Sequence, residues 1–158
     1  MLADLYGTLA RAWGVEYQGL SGCSGHSPET LRQYMAWVVQ HPGPEEIFAA
    51  LPPLNHQLMR QLMLDLHALG HEIEILSSIG AYPDFDHGDA VRAGKMRFLN
   101  THYGDLLESG VIQRVNLVDN GHMKSSYASK ETVLIDDMIA ITDCFGSSGG
   151  LAILYNSQ

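Results

Sequence analysis

Two adjacent carboxylates, Asp136 and Asp137, directly follow a short apolar run in the segment E-T-V-L-I-D-D at residues 131–137. An unbroken apolar run of this length is typical of a strand that is buried on both faces of a parallel sheet. Open α/β sheets bind their ligands at the carboxyl ends of such strands. Neighbouring carboxylates repel each other, so the pair indicates a bound cation or a nearby lysine. The alternative is a solvated turn at the end of the strand, because Asp is common in turns.

Further polar groups lie at or near the predicted ends of other strands. Asp4 precedes L-Y-G-T-L, Ser77 and Ser78 follow the run E-I-E-I-L, and Lys124 lies in a loop after the turn D-N-G-H. Together with the acid pair, these side chains can perform phosphoryl transfer. Asp4 would attack phosphorus, the hydroxyl and the ammonium would hold phosphate oxygens, and the carboxylates would bind Mg²⁺. For Asp4 alone, an Asx-turn is an equally good interpretation.

An alternation of strands and helices is predicted to position these residues. Besides the strand that ends at Asp4, strands are expected at 72–76, 111–118, 132–135 and 151–155, and helices at 28–40, 45–50, 55–69, 89–103 and 138–145. This order predicts a three-layer α/β fold with a central parallel sheet and helices on both faces. The chain of 158 residues suits one domain, 1–158. Residues 10–54 are interpreted as a small helical insertion that covers the region of Asp4.

Two of the helices have a clear apolar pattern. The helix at 55–69 carries apolar residues at three- and four-residue spacing and ends before Gly70, a typical C-cap; they are Leu58, Met59, Leu62, Met63, Leu66 and Leu69. In the helix at 89–103 the expected buried positions are Val91, Met96, Phe98 and Leu99. Both helices are therefore expected to pack on the sheet.

Composition limits the classes of partner. The net charge of −9 with only 9 Lys and Arg disfavours non-specific nucleic-acid binding and an anionic membrane surface. No apolar run approaches the roughly 20 residues of a membrane span, and no signal peptide is evident. Cys23 and Cys144 lack metal-ligand spacing and are expected to be free thiols of a reducing compartment, the cytoplasm. Whether the chain forms a homodimer is left open.

The order of these motifs resembles the haloacid-dehalogenase-like hydrolase superfamily. The four matching pieces are Asp4-Leu5-Tyr6-Gly7-Thr8-Leu9, Ile75-Leu76-Ser77-Ser78, Lys124 and Leu134-Ile135-Asp136-Asp137. The small 5'-nucleotidase-like branch, which includes deoxyribonucleotidases and phage-encoded relatives, is the most similar. Its features are matched by F-A-A-L-P at 48–52, K-x-x-F-L-x-x-H-x-G at 95–104 and G-G-L-A-I-L at 149–154.

The resemblance implies a Mg²⁺-dependent phosphomonoester hydrolase. Its substrate would be a small phosphorylated metabolite such as a (deoxy)nucleoside 5'-monophosphate, in the cytoplasm of a bacterium or a phage-infected host. Asp4 would form an aspartyl-phosphate. Asp4, the Tyr6 carbonyl, and Asp136 or Asp137 would bind the metal.

The sequence departs from that pattern at Tyr6. Most phosphatases of the superfamily carry there a second aspartate, the general acid that protonates the leaving oxygen. A tyrosine with an ordinary pKa near 10 is a poor proton donor at neutral pH. Two alternatives follow: a catalytically impaired relative that binds a nucleotide or a protein, or a dehalogenase-like hydrolase in which Asp4 attacks carbon. The dehalogenase branch has a larger cap than residues 10–54 provide.

Overall fold

The computed structural model describes residues 43–80 and 87–155. Within these ranges the helices are α1 (Pro44–Ala49), α2 (His56–Ala68), α3 (Gly88–Glu108), a 3-10 helix (Gly121–Tyr127) and α4 (Ile139–Ser147), and the strands are β1 (Ile73–Ser78), β2 (Ile112–Val118), β3 (Val133–Asp136) and β4 (Leu151–Leu154). Asp4, Tyr6, Cys23, the predicted helix at 28–40 and the part of the predicted cap before residue 43 lie outside the described residues.

The strands pair in parallel, as the alternation of elements predicts. β1 pairs with β2, with Ser77 opposite Leu117, and β3 pairs with β4, with Asp136 opposite Leu154. Parallel neighbours need a crossover connection, which α3 provides for the first pair and α4 for the second. The mixed α/β class is therefore confirmed. The described strands form two two-stranded sheets, so the single central sheet stays a prediction.

Local backbone geometry fixes both ends of α2. Asn55 before the first turn has a left-handed backbone (φ 43°), and Gly70 after the last turn has φ 86°. The Gly70 N–H donates to the carbonyl of His67 at 2.9 Å, and the His71 N–H donates to that of Leu66 at 3.0 Å. A glycine adopts this conformation without steric cost, so the predicted helix and its C-cap are confirmed.

The apolar face predicted for α2 is only partly buried. Met59 and Met63, four residues apart, lie in the core. Leu58 and Leu69 instead keep 61% and 75% of their surface exposed. The core of the described residues thus contacts a narrower stripe of the helix than its apolar spacing covers.

The helix α3 continues beyond its predicted end at residue 103. Its backbone departs from helical geometry at Tyr103 (φ −137°, ψ 16°) and then resumes as far as Glu108. A close crossing of α1 and α3 requires Gly94. A Cβ added there would lie 2.5 Å from the carbonyl oxygen of Glu45 and 2.9 Å from the Cβ of Phe48.

The described chain has two hydrophobic clusters. The larger joins α1, α2 and α3 to β1 and β2, and its buried members are Phe48, Leu51, Met59, Met63, Ile79, Val91, Phe98, Leu99, Tyr103, Leu106, Val111 and Ile112. Three of the four positions predicted for α3 are thus buried, and Met96 packs against the cluster while partly exposed. The smaller cluster comprises Leu134, Ile141 and Phe145. Leu76 of β1 packs against it, which brings the two pairs of strands into contact.

No helix in the described ranges is both long enough and apolar enough to cross a membrane. Cys144, on α4, is a free thiol as predicted.

Candidate functional site

Lys124 and Asp136 form a buried ion pair. Asp136 is the last residue of β3, and Lys124 lies on the 3-10 helix twelve residues earlier. The Lys124 Nζ donates to the Asp136 Oδ2 at 2.5 Å. Only 8% of the lysine and 5% of the aspartate remain exposed. Salt and water screen the attraction in such a buried pair much less than in a surface pair.

The 3-10 helix gives Lys124 a fixed position that the sequence did not predict. The Asn120 side chain accepts a hydrogen bond from the Met123 N–H at 3.2 Å and so caps the helix. The helix packs on α4, with the side chain of Ile141 close to Gly121, and it contacts β1 and β2. The expectation of a loop at Lys124 was therefore wrong, because capping and packing order this segment.

The neighbouring carboxylates differ in their surroundings. Asp136 accepts from Lys124 with Oδ2 and from the Met138 N–H with Oδ1 at 3.0 Å, a contact that leads the chain into α4. Asp137 is half-buried and has no ion pair with any residue of the described ranges. Burial raises the pKa of Asp137, and the negative charge of Asp136 raises it further. The positive charge of Lys124 lowers the pKa of Asp137, but less than burial and Asp136 raise it.

Ser77 and Ser78 are the last two residues of β1. The predicted strand ended at Leu76, but pairing with Leu117 and Val118 of β2 carries it through both serines. The structure adds a partner that the sequence did not assign. Lys95 of α3 donates from Nζ to the Ser77 Oγ at 2.9 Å and to the Ser78 carbonyl oxygen at 2.8 Å.

A pattern in α3 could have identified Lys95. It lies four residues after Val91 and four before Leu99, so it shares the helix face of two buried residues. A lysine on such a face normally has a specific partner. In the sequence alone, Lys95 stands out only as the first residue of the K-x-x-F-L-x-x-H-x-G pattern at 95–104.

Lys95 contacts Ser77, Lys124 contacts Asp136, and the charges of the two lysines act on each other. The pKa of Lys95 falls from its ordinary value of 10.5 to about 8, first because the ammonium is buried and second because the charge of Lys124 is near. Lys124 in turn contacts Asp136. Of the predicted site residues, the structure thus joins Lys124 to Asp136 directly, and Ser77 contacts Lys95, which lies within the electrostatic influence of Lys124.

A magnesium site can be tested against the donors present. Within 43–80 and 87–155 no cluster of three or more His, Cys, Asp or Glu side chains is found. Magnesium binds through one or two carboxylates together with water and substrate oxygens. Asp136 and Asp137 provide two carboxylates. The pKa of Asp137 is raised, and a cation bound nearby would lower it again. The described donors fit such a site, and the predicted ligands Asp4 and Tyr6 lie outside the described residues.

These features define an α/β protein with serines and carboxylates at the ends of parallel strands and two lysines beside them, of which Lys124 and Asp136 form a buried pair. Comparison with known proteins gives no match to any family profile, curated protein or solved structure.

Proposed function

We propose that this protein is a magnesium-dependent phosphomonoester hydrolase of the haloacid-dehalogenase-like kind. The observation that carries the proposal is the buried contact of Lys124 with Asp136 at the carboxyl end of β3. In this arrangement the lysine and the serines at the end of β1 could bind a phosphate. The carboxylate could bind a cation. The proposed substrate is a small phosphorylated metabolite, in particular a (deoxy)nucleoside 5'-monophosphate.

The proposed fold has one three-layer sheet in which the strand that ends at Asp4 joins β1 and β3. Two observations support it. Among the described strands β1 has only β2 as a neighbour and β3 only β4, so each has an edge for another strand. Leu76 of β1 already packs on the hydrophobic cluster of β3 and α4. The small helical cap at about 10–54 would include α1, which packs on α3.

In the proposed reaction, Asp4 is the nucleophile. Its carboxylate oxygen bonds to phosphorus while the ester P–O bond breaks, and the leaving alcohol takes a proton from solvent or, less readily, from Tyr6. Water then cleaves the aspartyl-phosphate, which releases inorganic phosphate and restores Asp4. Lys124 and the Ser77 hydroxyl stabilise the phosphate oxygens, and Ser78 contributes to the same edge. Asp4, the Tyr6 carbonyl, and Asp136 or Asp137 would hold Mg²⁺, which would supply positive charge that offsets the charge of the phosphate.

Release of phosphate from a panel of monoesters tests the proposal. The wild type should hydrolyse at least one substrate in the presence of Mg²⁺, whereas Asp4→Asn should have no activity because it lacks the nucleophile. Lys124→Met should lose most activity. The control Lys130→Met removes the same charge from an exposed lysine and should keep full activity. Equal rates for wild type and Asp4→Asn on every ester would reject the proposal.

Tyr6 favours a second candidate function. Without a general acid, the protein would bind a nucleotide or a protein partner and hydrolyse no substrate. Such a protein would bind a nucleoside monophosphate with an affinity that depends on Lys124 and would release no phosphate.

A further inference from the structure

The strand β4 has an edge without the usual protection of an edge strand. It reads L-A-I-L, with no charge and no proline, and among the described strands only β3 pairs with it. Leu151, Ile153 and Leu154 are all exposed. Edge strands normally carry charges or proline, because an unprotected edge pairs readily with another chain. β2 follows this rule with exposed Gln113 and Arg114, whereas β4 does not.

The backbone groups on the outer edge of β4 are self-complementary. The N–H groups of Leu151 and Tyr155 donate to carbonyl oxygens at the two ends of the β3 segment, at 2.9 and 2.8 Å. Because backbone groups alternate in direction along a strand, those of Ala152 and Leu154 point away from β3. An antiparallel copy of β4, centred on Ile153, places Ala152 of each copy opposite Leu154 of the other. Every outward N–H and C=O group of these two residues is then paired.

The side of α4 next to this edge also suits a second copy. Ile139, Thr142, Asp143 and Gly146 form one stripe of the helix, the α4 stripe, which lines an open groove against β4. Ile139 is exposed, and a Cβ at Gly146, two turns further on, would meet nothing within 4 Å. In an antiparallel pair of helices, Ile139 of each copy lies opposite Gly146 of the other. Asp143 then lies opposite Thr142, so the two carboxylates do not face each other directly.

The spacing of the layers allows both contacts at once. α4 packs over β3 and β4, because Ile141 and Phe145 contact the hydrophobic cluster that contains Leu134 and Ala152. Pairing across the β4 edge separates the two α4 helices by two strand spacings of about 4.8 Å, which is about 10 Å. Packed helices lie about 8–10 Å apart. A two-fold axis beside Ile153 therefore lets the sheet and the helix layer continue together.

We propose that the outer edge of β4 and the α4 stripe form the interface of a homodimer, with one sheet continuing across a two-fold axis. The strand and the helix are each about 14 Å long. A contact of this length over two layers buries on the order of 1,000 Å² in total, at the lower limit for specific interfaces, so we expect a dissociation constant in the micromolar range. The carboxyl ends of β3 point in opposite directions in this dimer, which leaves both candidate sites open.

Sedimentation velocity at several protein concentrations measures the association. The wild type should change from monomer to dimer in the micromolar range. Gly146→Gln should weaken the dimer about tenfold or more, because its side chain fills the space that Ile139 of the other copy needs. The protomer has room for this side chain, and Gln favours a helix more than Gly, so the variant should melt no lower than wild type at low concentration. Gly104→Gln, at a helical glycine of α3 that also has open space, should associate like wild type.

A compensating change tests the contact between the two ends of the α4 stripe. Gly146→Leu should weaken association, and adding Ile139→Ala in the same chain should restore a part of it. The large and the small residue then have only exchanged places, so the two effects should not add.

Ile153 provides a covalent test of the strand pairing. At the two-fold axis it forms a pair without hydrogen bonds, whose Cα atoms lie about 4.5 Å apart, a distance that a disulfide can span. Under mild oxidation Ile153→Cys should therefore form a disulfide-linked dimer, and the wild type, with Cys23 and Cys144, should not. Val133→Cys is the matched control. Val133 is similarly exposed on the same face of the sheet, but it lies on β3 and away from the edge.

The results are distinct from those for the hydrolase, on which this inference does not depend. A wild type that stays monomeric at millimolar concentration would overturn the dimer; we expect that result if a segment of residues 1–42 pairs with β4 instead. A dimer that tolerates Gly146→Gln and is not linked through Ile153→Cys would also overturn it, because another surface would then join the copies. A dimer that Gly146→Gln dissociates, in a protein without hydrolytic activity, would support the interface and reject only the hydrolase.

Discussion

The Lys124 ammonium and the Asp136 carboxylate lie 2.5 Å apart inside the protein, and each depends on the other for compensation of its charge. Removing one partner leaves an unpaired buried charge, so Lys124→Met should lower the free energy of unfolding by roughly 3–5 kcal/mol. Replacing both partners by apolar residues should cost clearly less than the sum of the single changes. Urea denaturation of the two single variants and the double variant measures this coupling.

Arg97 is the control for that experiment. It pairs with Glu46 at 2.7 Å on the surface, where solvent weakens the attraction. Arg97→Met should change stability little. If Arg97→Met and Lys124→Met lowered the free energy of unfolding equally, burial would not explain the contribution of the Lys124–Asp136 pair.

Magnesium should raise the melting temperature of the wild type. A ligand that binds only the folded state stabilises it, by about 2.7 kcal/mol at a concentration 100 times Kd. Asp136→Asn and Asp137→Asn should reduce or abolish the shift, because each removes a carboxylate from the proposed site. Asp143→Asn changes an exposed acid of α4 and should keep the full shift. Scanning calorimetry with and without Mg²⁺ provides the measurement, and a wild type that does not respond would contradict the metal site.

The sequence predicted the parts of the fold that depend on local geometry. Gly70 adopts the positive φ that ends α2, and the apolar run before Asp136 is a parallel strand. The acid pair also indicated a nearby lysine, and Lys124 contacts Asp136 directly. These features could be predicted because a few adjacent residues determine them.

Features that depend on distant contacts were missed. The prediction ended α3 at Tyr103, where the backbone departs from helical geometry just before Gly104, but it missed the continuation of the helix to Glu108. The extension of β1 through Ser78 depends on pairing with β2. Two hydrophilic serines in the sequence do not indicate a strand. Lys95 was missed as a site residue because its partners lie 17 and 18 residues away, and spacing along one helix does not show what a side chain meets across the core.

Lys95 should make stability depend on pH in the alkaline range. Its pKa is about 8 in the folded protein and 10.5 ordinarily, so between these values the unfolded chain binds more protons and stability rises with pH. Below pH 8 the full cost of the buried charge is present. The wild type should therefore gain up to roughly 3 kcal/mol relative to Lys95→Met between pH 8 and 10.5, at about 1.4 kcal/mol per pH unit.

Urea denaturation of both proteins at several pH values gives the difference directly. Other groups that titrate in this range contribute to both proteins and cancel in the comparison. Parallel stability curves would show that the ammonium is not buried in solution.

Replacing Tyr6 best distinguishes a phosphatase, a nucleotide or protein binder and a dehalogenase, because Tyr6 occupies the position at which most phosphatases of the superfamily carry their general acid. An aryl phosphate leaves without much help from a proton donor, whereas the alkoxide of a nucleoside needs one. General-acid assistance typically contributes about 10² to 10⁴ in rate. Tyr6→Asp should therefore raise the turnover of a nucleoside monophosphate by a large factor and that of an aryl phosphate only slightly. Initial rates for both substrates, with Mg²⁺ and with Asp4→Asn as the inactive control, measure the effect.

The other two classes give different results in the same assay. A silent nucleotide or protein binder has no turnover for Tyr6→Asp to improve, and Asp4→Asn changes its affinity at most. A dehalogenase releases halide from a 2-halo acid without added metal, because its aspartate attacks carbon and the leaving halide needs no proton. Tyr6→Asp would then give no advantage on any substrate. A selective gain of Tyr6→Asp on the nucleoside monophosphate is expected only for a phosphatase that lacks its acid, because only there does the leaving group require the missing proton.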